Sequence, residues 1–463
     1  MKYAPSILLL AITVIIYGVL YNTNRAYLSD YKLSVNPDAV TYVDLGRNIW
    51  LKGEYSRSSV APFKPDFKWN PVYPVLSGAM NILFGSAGIF ALNFAFALLS
   101  CTIIYRLLDY YAGSFYALTG AMIFALDPLV YSLIFQPMSD IVFISFILAG
   151  LYFTLPILFP LEEKTSPLWR LMVGGIAFGM AILTRPTGLY LPLIITLCYL
   201  IKLFWQNEKR MQFLQRGAVF FLSAYFLAAV WMVRNYNTFG IFTLSGNENI
   251  VMVYYTGGGA WQIQNKCTLD QAQRLIEKEY NLPPVVVCHN SFAYDVSPAE
   301  IDTQLKSRKR EVLLKYPAAL VQSAATGLPK SLLAHETGFF GQICNSPWKT
   351  AGLDLKKTPS YFKTLMSNSP TLICVFFWSV AFQITVILLG IFGFIFIWIY
   401  NRNLRWLLFV LAGIAAYFIL TMGLSGADCC ARYRLPVMPV FYIFSAISIE
   451  YIINRYCNTK REI

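Results

Sequence analysis

The chain has 463 residues, of which 57% are hydrophobic and 13% charged, against roughly 25% charged in an ordinary soluble domain. That composition, with many apolar runs near the ~20 residues a spanning helix needs, excludes a soluble enzyme and indicates a polytopic, all-α integral membrane protein. The net charge of +13 falls largely in short loops between apolar runs, the pattern of topology determinants. With no Gly-rich phosphate loop and no basic-aromatic module, nucleic acid is excluded as a partner.

In chain order, residues 5–21 read as a retained first span, since no small-x-small cleavage site precedes Asn22. A long mixed segment, 22–86, follows. Within it Asn36-Pro37 and Asn70-Pro71 each place an N-cap residue before a proline at the first helical position. The first helix is expected to stop at Lys52-Gly53 and the second near Phe84-Gly85. The second is about 21 Å long, short of a ~30 Å hydrocarbon core. Both are expected to lie along the membrane surface.

Nine further spans are expected at 87–107, 114–134, 139–160, 170–184, 187–206, 217–233, 371–398, 406–424 and 436–454, about ten in all with the first. The polar insert 235–370 divides the chain into an N-terminal module, 1–234, with its outer loop 22–86, and a C-terminal module, 371–463. Helices are expected inside the insert at Leu269–Tyr280, Pro298–Lys315 and Pro317–Leu333. With a cytoplasmic N-terminus, thirteen Lys and Arg fall in cytoplasmic segments, while the short outer loops hold only Arg185, Arg432 and Arg434. Under the positive-inside rule that asymmetry puts 22–86 and 235–370 outside. In that compartment disulfides persist, and Cys267 and Cys288 are candidates for one, with Cys344 in the same compartment. Nine cysteines without metal-ligand spacing and two histidines, His289 and His335, speak against zinc.

This topology gathers polar residues at one interface. Asp38 and Tyr42 lie one turn apart on the first surface helix, and Lys68 precedes the second. Asp140 opens one span, Arg185 and Arg234 end two others, and Arg432 and Arg434 stand just before the last. Singly, Asp38 could serve the helix dipole and the arginines could snorkel to headgroups. An acid and several cations at one interface suit an anionic lipid-linked substrate. Asp127, before Pro128, reads as a helix-end residue.

The string Asp38-Ala39-Val40-Thr41-Tyr42, with Lys52-Gly53-Glu54-Tyr55 after it, resembles the first outer loop of the C-type glycosyltransferases. The likeness is to the protein-O-mannosyltransferase and aminoarabinose-transferase-like branch. Five more stretches match in order: Asn70-Pro71-Val72-Tyr73-Pro74; Ser139-Asp140; Leu183-Thr184-Arg185-Pro186; Trp231-Met232-Val233-Arg234-Asn235-Tyr236 with Phe239-Gly240; and Arg432-Tyr433-Arg434-Leu435-Pro436. The resemblance implies a polyprenyl-phosphate sugar donor, a hydroxyl-bearing acceptor and transfer outside the cytoplasm, with Asp38 as catalytic base. The departing phosphate needs positive charge. Arg434, Arg432 and Lys68 are the first candidates, Arg185 and Arg234 the second, with Tyr42, Tyr73 and Asp140 in support. Some relatives bind a divalent metal, and Asp38 and Asp140 could hold Mg²⁺ or Mn²⁺, although nothing in the sequence requires a cofactor.

Three other readings compete. A lipid transporter or flippase lacks support, since no repeated halves or paired broken helices occur. An assembly scaffold would be indifferent to changes at Asp38. An oligosaccharide ligase would use a pyrophosphate carrier instead. The chain has no Asn-x-Ser/Thr sequon, which leans toward a bacterial inner membrane.

Overall fold

The computed structural model describes residues 30–31, 38–58, 60–161, 167–205, 210–290, 294, 296–334, 370–401, 404–424 and 430–459, with isolated positions 11, 14, 15 and 18. Among them are helices and no strands, as backbone in a bilayer requires when no barrel closes. The expected first span and the turn Asn36-Pro37 fall almost wholly outside the described residues.

Helix α1 (Asp38–Lys52) begins on its acid and stops at Gly53, whose φ of 73° only glycine adopts easily. Helix α2 (Val72–Tyr111) has 40 residues, about 60 Å if straight and so roughly twice a hydrocarbon core. It is broken at Gly85 (φ 65°, ψ −155°), the residue at which the sequence reading ends the surface helix. One difference concerns Asn70. Pro71 occupies the cap position without a side-chain cap, and the Asn70 amide instead donates to the Ile182 carbonyl at 2.6 Å. The adjacent Val72 amide donates to the Leu183 carbonyl at 3.1 Å, so the start of α2 is bonded to the end of a distant helix.

α1 lies across the first half of α2. A Cβ on Gly46 would strike the Pro74 carbonyl, and one on Gly78 would strike the backbone of Gly46. Arg47 donates to Asn81 at 2.7 Å and Trp50 to the Val75 carbonyl at 2.9 Å. Trp50, Leu51, Leu83 and Phe84 stay exposed, an apolar rim suited to lying in a lipid interface.

The following span is not the single helix expected over 114–134. α3 (Ser114–Ala125) and α4 (Pro128–Ile134) meet at 59°. Pro128 has no amide to continue the ladder, and Asp127 caps α4 by accepting from the Leu129 amide at 2.7 Å. The Asp127 carboxylate also accepts from Tyr442 at 2.5 Å. Next come α5 (Asp140–Leu158), α6 (Leu168–Ile182), α7 (Leu191–Trp205) and α8 (Arg210–Phe239). Small residues let α5, α6 and α8 close up: a Cβ on Gly174 would meet Thr154, and one on Gly175 would meet Ser223. Among the described residues six helices are long and apolar enough to cross a bilayer alone, α3 and α4 pass as one bent pair, and α6 and the last helix are shorter and apolar.

The insert contains the three helices expected: α10 (Leu269–Tyr280), α12 (Pro298–Leu314) and α13 (Pro317–Leu333), with a short α11 (Val285–His289) between the first two. Thr268 and Gln271 form a reciprocal capping box on α10. A helical run through residues 247–265, α9, was not expected from sequence. Its centre, Val251–Gly257, is π-helical, and its β-branched residues and glycine triplet carry little intrinsic helical preference. Burial explains it: Val253, Tyr254 and Trp261 pack with Ile276, Ile301 and Leu305 in a core of the insert's own. Cys267 and Cys288 are both free thiols, and the pairing expected of them is not made. The Cys288 thiol donates instead to the Pro283 carbonyl at 3.5 Å. Cys344 and His335 lie outside the described residues. The chain ends in α14 (Pro370–Tyr400), α15 (Arg405–Leu424), a 3₁₀ turn at Ala431–Arg434, and α16 (Met438–Thr459).

Candidate active site

Helix ends set the first half of the site. Asp38 occupies the first turn of α1, where the dipole favours a carboxylate. Arg432, from the 3₁₀ turn before α16, places Nη2 3.5 Å from Asp38 Oδ2, with both side chains mostly buried. Asp140, first residue of α5, is buried against Arg185, which follows α6, and the two form an ion pair. Both acids act electrostatically on Arg432. Asp38, Arg185 and Arg432 all act on the Tyr42 hydroxyl, and burial, with Asp38 adding to it, pushes that group up to about 12. Tyr42 packs at 4.9 Å on Trp69 and at 5.2 Å, edge-on, on Tyr73. The Tyr73 hydroxyl donates to Asn93 at 3.3 Å. The result is an aromatic wall beside an acid and two arginines.

The second half is built by the loop between α1 and α2 and by the insert. Lys68 is 7% exposed. Its ammonium lies 2.9 Å from His289 Nδ1 and 3.3 Å from the His289 carbonyl, and 4.8 Å above the Trp69 ring. Arg57 and Asp66 form a buried ion pair. Arg57 also donates to the His289 carbonyl at 2.8 Å, and the Lys68 amide donates to Asp66 at 2.7 Å. Burial, with the charge of Arg57 adding to it, lowers Lys68 to about 8, against the pull of Asp38 and Asp66. His289 is lowered to about 4 by burial and by Lys68. Asp38 acts on both Lys68 and His289, which joins the two halves.

Of the cations singled out in the sequence, Arg432, Arg185 and Lys68 therefore converge with Asp38, Asp140, Tyr42 and Tyr73. Two are anchored elsewhere. Arg434, 1% exposed, donates to the Ala334 carbonyl at the end of α13. Arg234 lies five residues inside the end of α8. It donates to the Asp66 carbonyl and to Asn235, both at 2.9 Å, over the rings of Tyr55, Trp231 and Phe239. There it holds the loop that carries Lys68. Sequence reasoning missed His289, Tyr255, Arg57 and Asp66. Only the rarity of histidine, two in the chain, offered a signal.

Trp69 Nε1, Asn70 Oδ1 and Asp140 Oδ2 are buried without a hydrogen-bond partner among the described residues. Trp69 and Asn70 follow Lys68 in the chain and Asp140 pairs with Arg185, so these atoms beside the charged groups call for water or a ligand's hydroxyls. For a divalent cation the donor set is poor: Asp38 and Asp140 each face an arginine, and no three His, Cys, Asp or Glu among the described residues come together. The arrangement suits an anion held beside a carboxylate.

The sequence pattern of the family described as dolichyl-phosphate-mannose-protein mannosyltransferase matches residues 64–233. These residues include Lys68, Tyr73, Asp140 and Arg185. No curated protein matches the chain in sequence. Among solved structures, the oligosaccharyltransferase AglB of the archaeon Archaeoglobus fulgidus is similar. In complex with an inhibitory peptide and a dolichol-phosphate, it is 14% identical with a TM-score of 0.53, over 100% of this chain and 52% of that one. Its apo form is 12% identical with a TM-score of 0.55. This chain thus spans about half the length of the archaeal enzyme. ArnT from Cupriavidus metallidurans, bound to undecaprenyl phosphate, is 15% identical over 97% of this chain and 78% of that one, with a TM-score of 0.41. Residues 64–233 thus carry the sequence pattern of that mannosyltransferase family, and the described residues share the fold of the archaeal membrane oligosaccharyltransferase.

Proposed function

We propose that the protein transfers a sugar from a polyprenyl-phosphate donor to a hydroxyl acceptor at the extracytoplasmic face of a bacterial inner membrane, with inversion at the anomeric carbon and Asp38 as general base. The observation that carries the reading is the juxtaposition of Asp38 with Arg432 at 3.5 Å, beside Lys68 and the Arg185–Asp140 pair. A carboxylate within hydrogen-bond reach of the acceptor hydroxyl takes its proton as the oxygen attacks the anomeric carbon. The bond from that carbon to the phosphate oxygen breaks, and the electron pair leaves with the polyprenyl phosphate. That leaving group is anionic at neutral pH, so no general acid is needed. It needs fixed positive charge in a water-poor site, and in this reading Arg432 and Lys68 supply it. Trp69, the partly exposed member of the aromatic cluster with Tyr42 and Tyr73, gives a sugar ring an apolar face, and the polar atoms of Trp69 and Asn70 suit its hydroxyls. Arg185 holds Asp140 in place.

The test is transfer by purified protein in nanodiscs from labelled polyprenyl-phosphate sugars to envelope acceptors. Asp38→Asn keeps size and helix but removes the proton acceptor, and turnover should fall about 10²–10⁴-fold with donor binding intact. Near-normal turnover by this variant would remove Asp38 from the chemistry, because a helix-dipole role costs only ~0.3–1 kcal/mol of stability.

A further inference from the structure

The insert supplies part of the site. His289 ends α11, more than two hundred residues from Lys68 in sequence, and gives its ammonium two acceptors, the ring Nδ1 at 2.9 Å and its own carbonyl at 3.3 Å. An ammonium only donates, so Nδ1 must accept, which places the imidazole proton on Nε2. Nε2 lies 3.0 Å from the Tyr255 hydroxyl, which accepts it. Tyr255 belongs to the π-helical stretch of α9, an irregularity that often marks a functional site. Arg57 bonds the same His289 carbonyl, and Asp66 ties Arg57 to the Lys68 amide. The lysine is thus held at both its backbone and its head.

We propose that His289 is a positioning residue: its imidazole and carbonyl fix two of the three N–H bonds of the Lys68 ammonium and turn the third toward the phosphate of a lipid-linked ligand beside Asp38. The inference rests on the proposed function for the identity of that ligand. The low basicity of His289 agrees with it, since a neutral ring is what the lysine requires. The insert therefore completes the anion site that the outer loop begins.

Two isosteric variants separate this role from a packing role. Asn at 289 places an amide oxygen where Nδ1 stood and preserves the bond to Lys68. Gln places its amide where Nε2 stood and preserves only the contact with Tyr255. The readout is acetylation of Lys68 by acetic anhydride in nanodiscs, followed by peptide mass spectrometry with and without undecaprenyl phosphate. In the unaltered protein the lipid should protect Lys68. In His289→Gln the lipid concentration for half-protection should rise about tenfold, the effect of one lost hydrogen bond to a charged group. His289→Asn should stay within about threefold of the unaltered protein, and so should Tyr255→Phe, which leaves the lysine its acceptor. Equal behaviour of the Asn and Gln variants overturns the proposal, and so does a Lys68 whose reactivity undecaprenyl phosphate leaves unchanged. Protection needs no turnover, so Asp38→Asn should be protected like the unaltered protein. Failure of the catalytic reading therefore shows in transfer alone.

Discussion

The two halves of the site are built by different means. The half around Asp38, Arg432, Asp140 and Arg185 is made of residues at the ends of helices, each placed by where an apolar segment stops. The half around Lys68, Arg57, Asp66 and His289 is made of loop residues, placed by one another through buried ion pairs and bonds that cross from residues 57–68 to 289. The first half inherits its rigidity from the bundle. The second has to supply its own, and it should respond to different insults.

The largest difference should come from Asp66→Ala. Removing one partner of a buried pair leaves Arg57 charged and uncompensated, at a cost of about 3–5 kcal/mol. Thermal unfolding followed by protease sensitivity of the 53–71 loop should show it. Arg185→Ala, whose side chain is 17% exposed, should leave that loop intact. Equal loop sensitivity in both variants would dissolve the distinction between the halves.

Next is Arg432→Ala, which removes a cation from the first half without disturbing the loop. The expected loss is about 10²-fold in kcat, the size seen when one preorganised donor to a developing charge is deleted, with the 53–71 loop as protected as before.

A smaller effect is confined to the second half and is read through pH. Lys68 is held down to about 8 from 10.5, and in the proposed reaction only its ammonium form would hold the donor phosphate. In the free protein kcat/KM for the donor should therefore fall up to about tenfold per unit once pH rises past about 8. A bound anion raises the lysine again, so kcat should show the limb later. Stability runs the opposite way. The unfolded lysine keeps its proton to about 10.5, so between about 8 and 10.5 the unfolded state binds more protons and stability rises with pH. Lys68→Met should abolish the alkaline limb of kcat/KM, and a limb that survives it would move the titration to another group.

The smallest effect tests the insert. Cys267 and Cys288 should both react with a thiol reagent after denaturation without reductant, and reduction should leave the unfolding temperature unchanged.

The same contrast explains what could be read in advance. Helix ends are local: Gly53 and Gly85 at positive φ, and the Thr268–Gln271 box, mark boundaries in a few residues each. Asp38, Asp140, Arg185 and Arg432 could be singled out because each stands at such a boundary, and they lie together in the fold. Arg434 has the same credentials in sequence, yet its head meets the Ala334 carbonyl, because a 3₁₀ turn points successive side chains in different directions. Asn70 has the credentials of a cap and bonds Ile182 instead. The Lys68–His289 contact has no local signature, being a pairing across the fold. The helix at 247–265 was hidden for a similar reason: its own residues disfavour it, and burial against α10 and α12 decides it.

Gly85 joins the two parts of α2 into one rod with a fixed bend. The part before the bend carries α1 through the contact of Gly46 with Pro74 and Gly78, and α1 carries the acid. The part after the bend, residues 86–111, is about 39 Å long and is held by the lipid. The hydrocarbon thickness thus acts as a ruler for the depth of Asp38. Where the bilayer thins, the span must tilt, and the bend converts that tilt into a displacement of the carboxylate along the membrane normal.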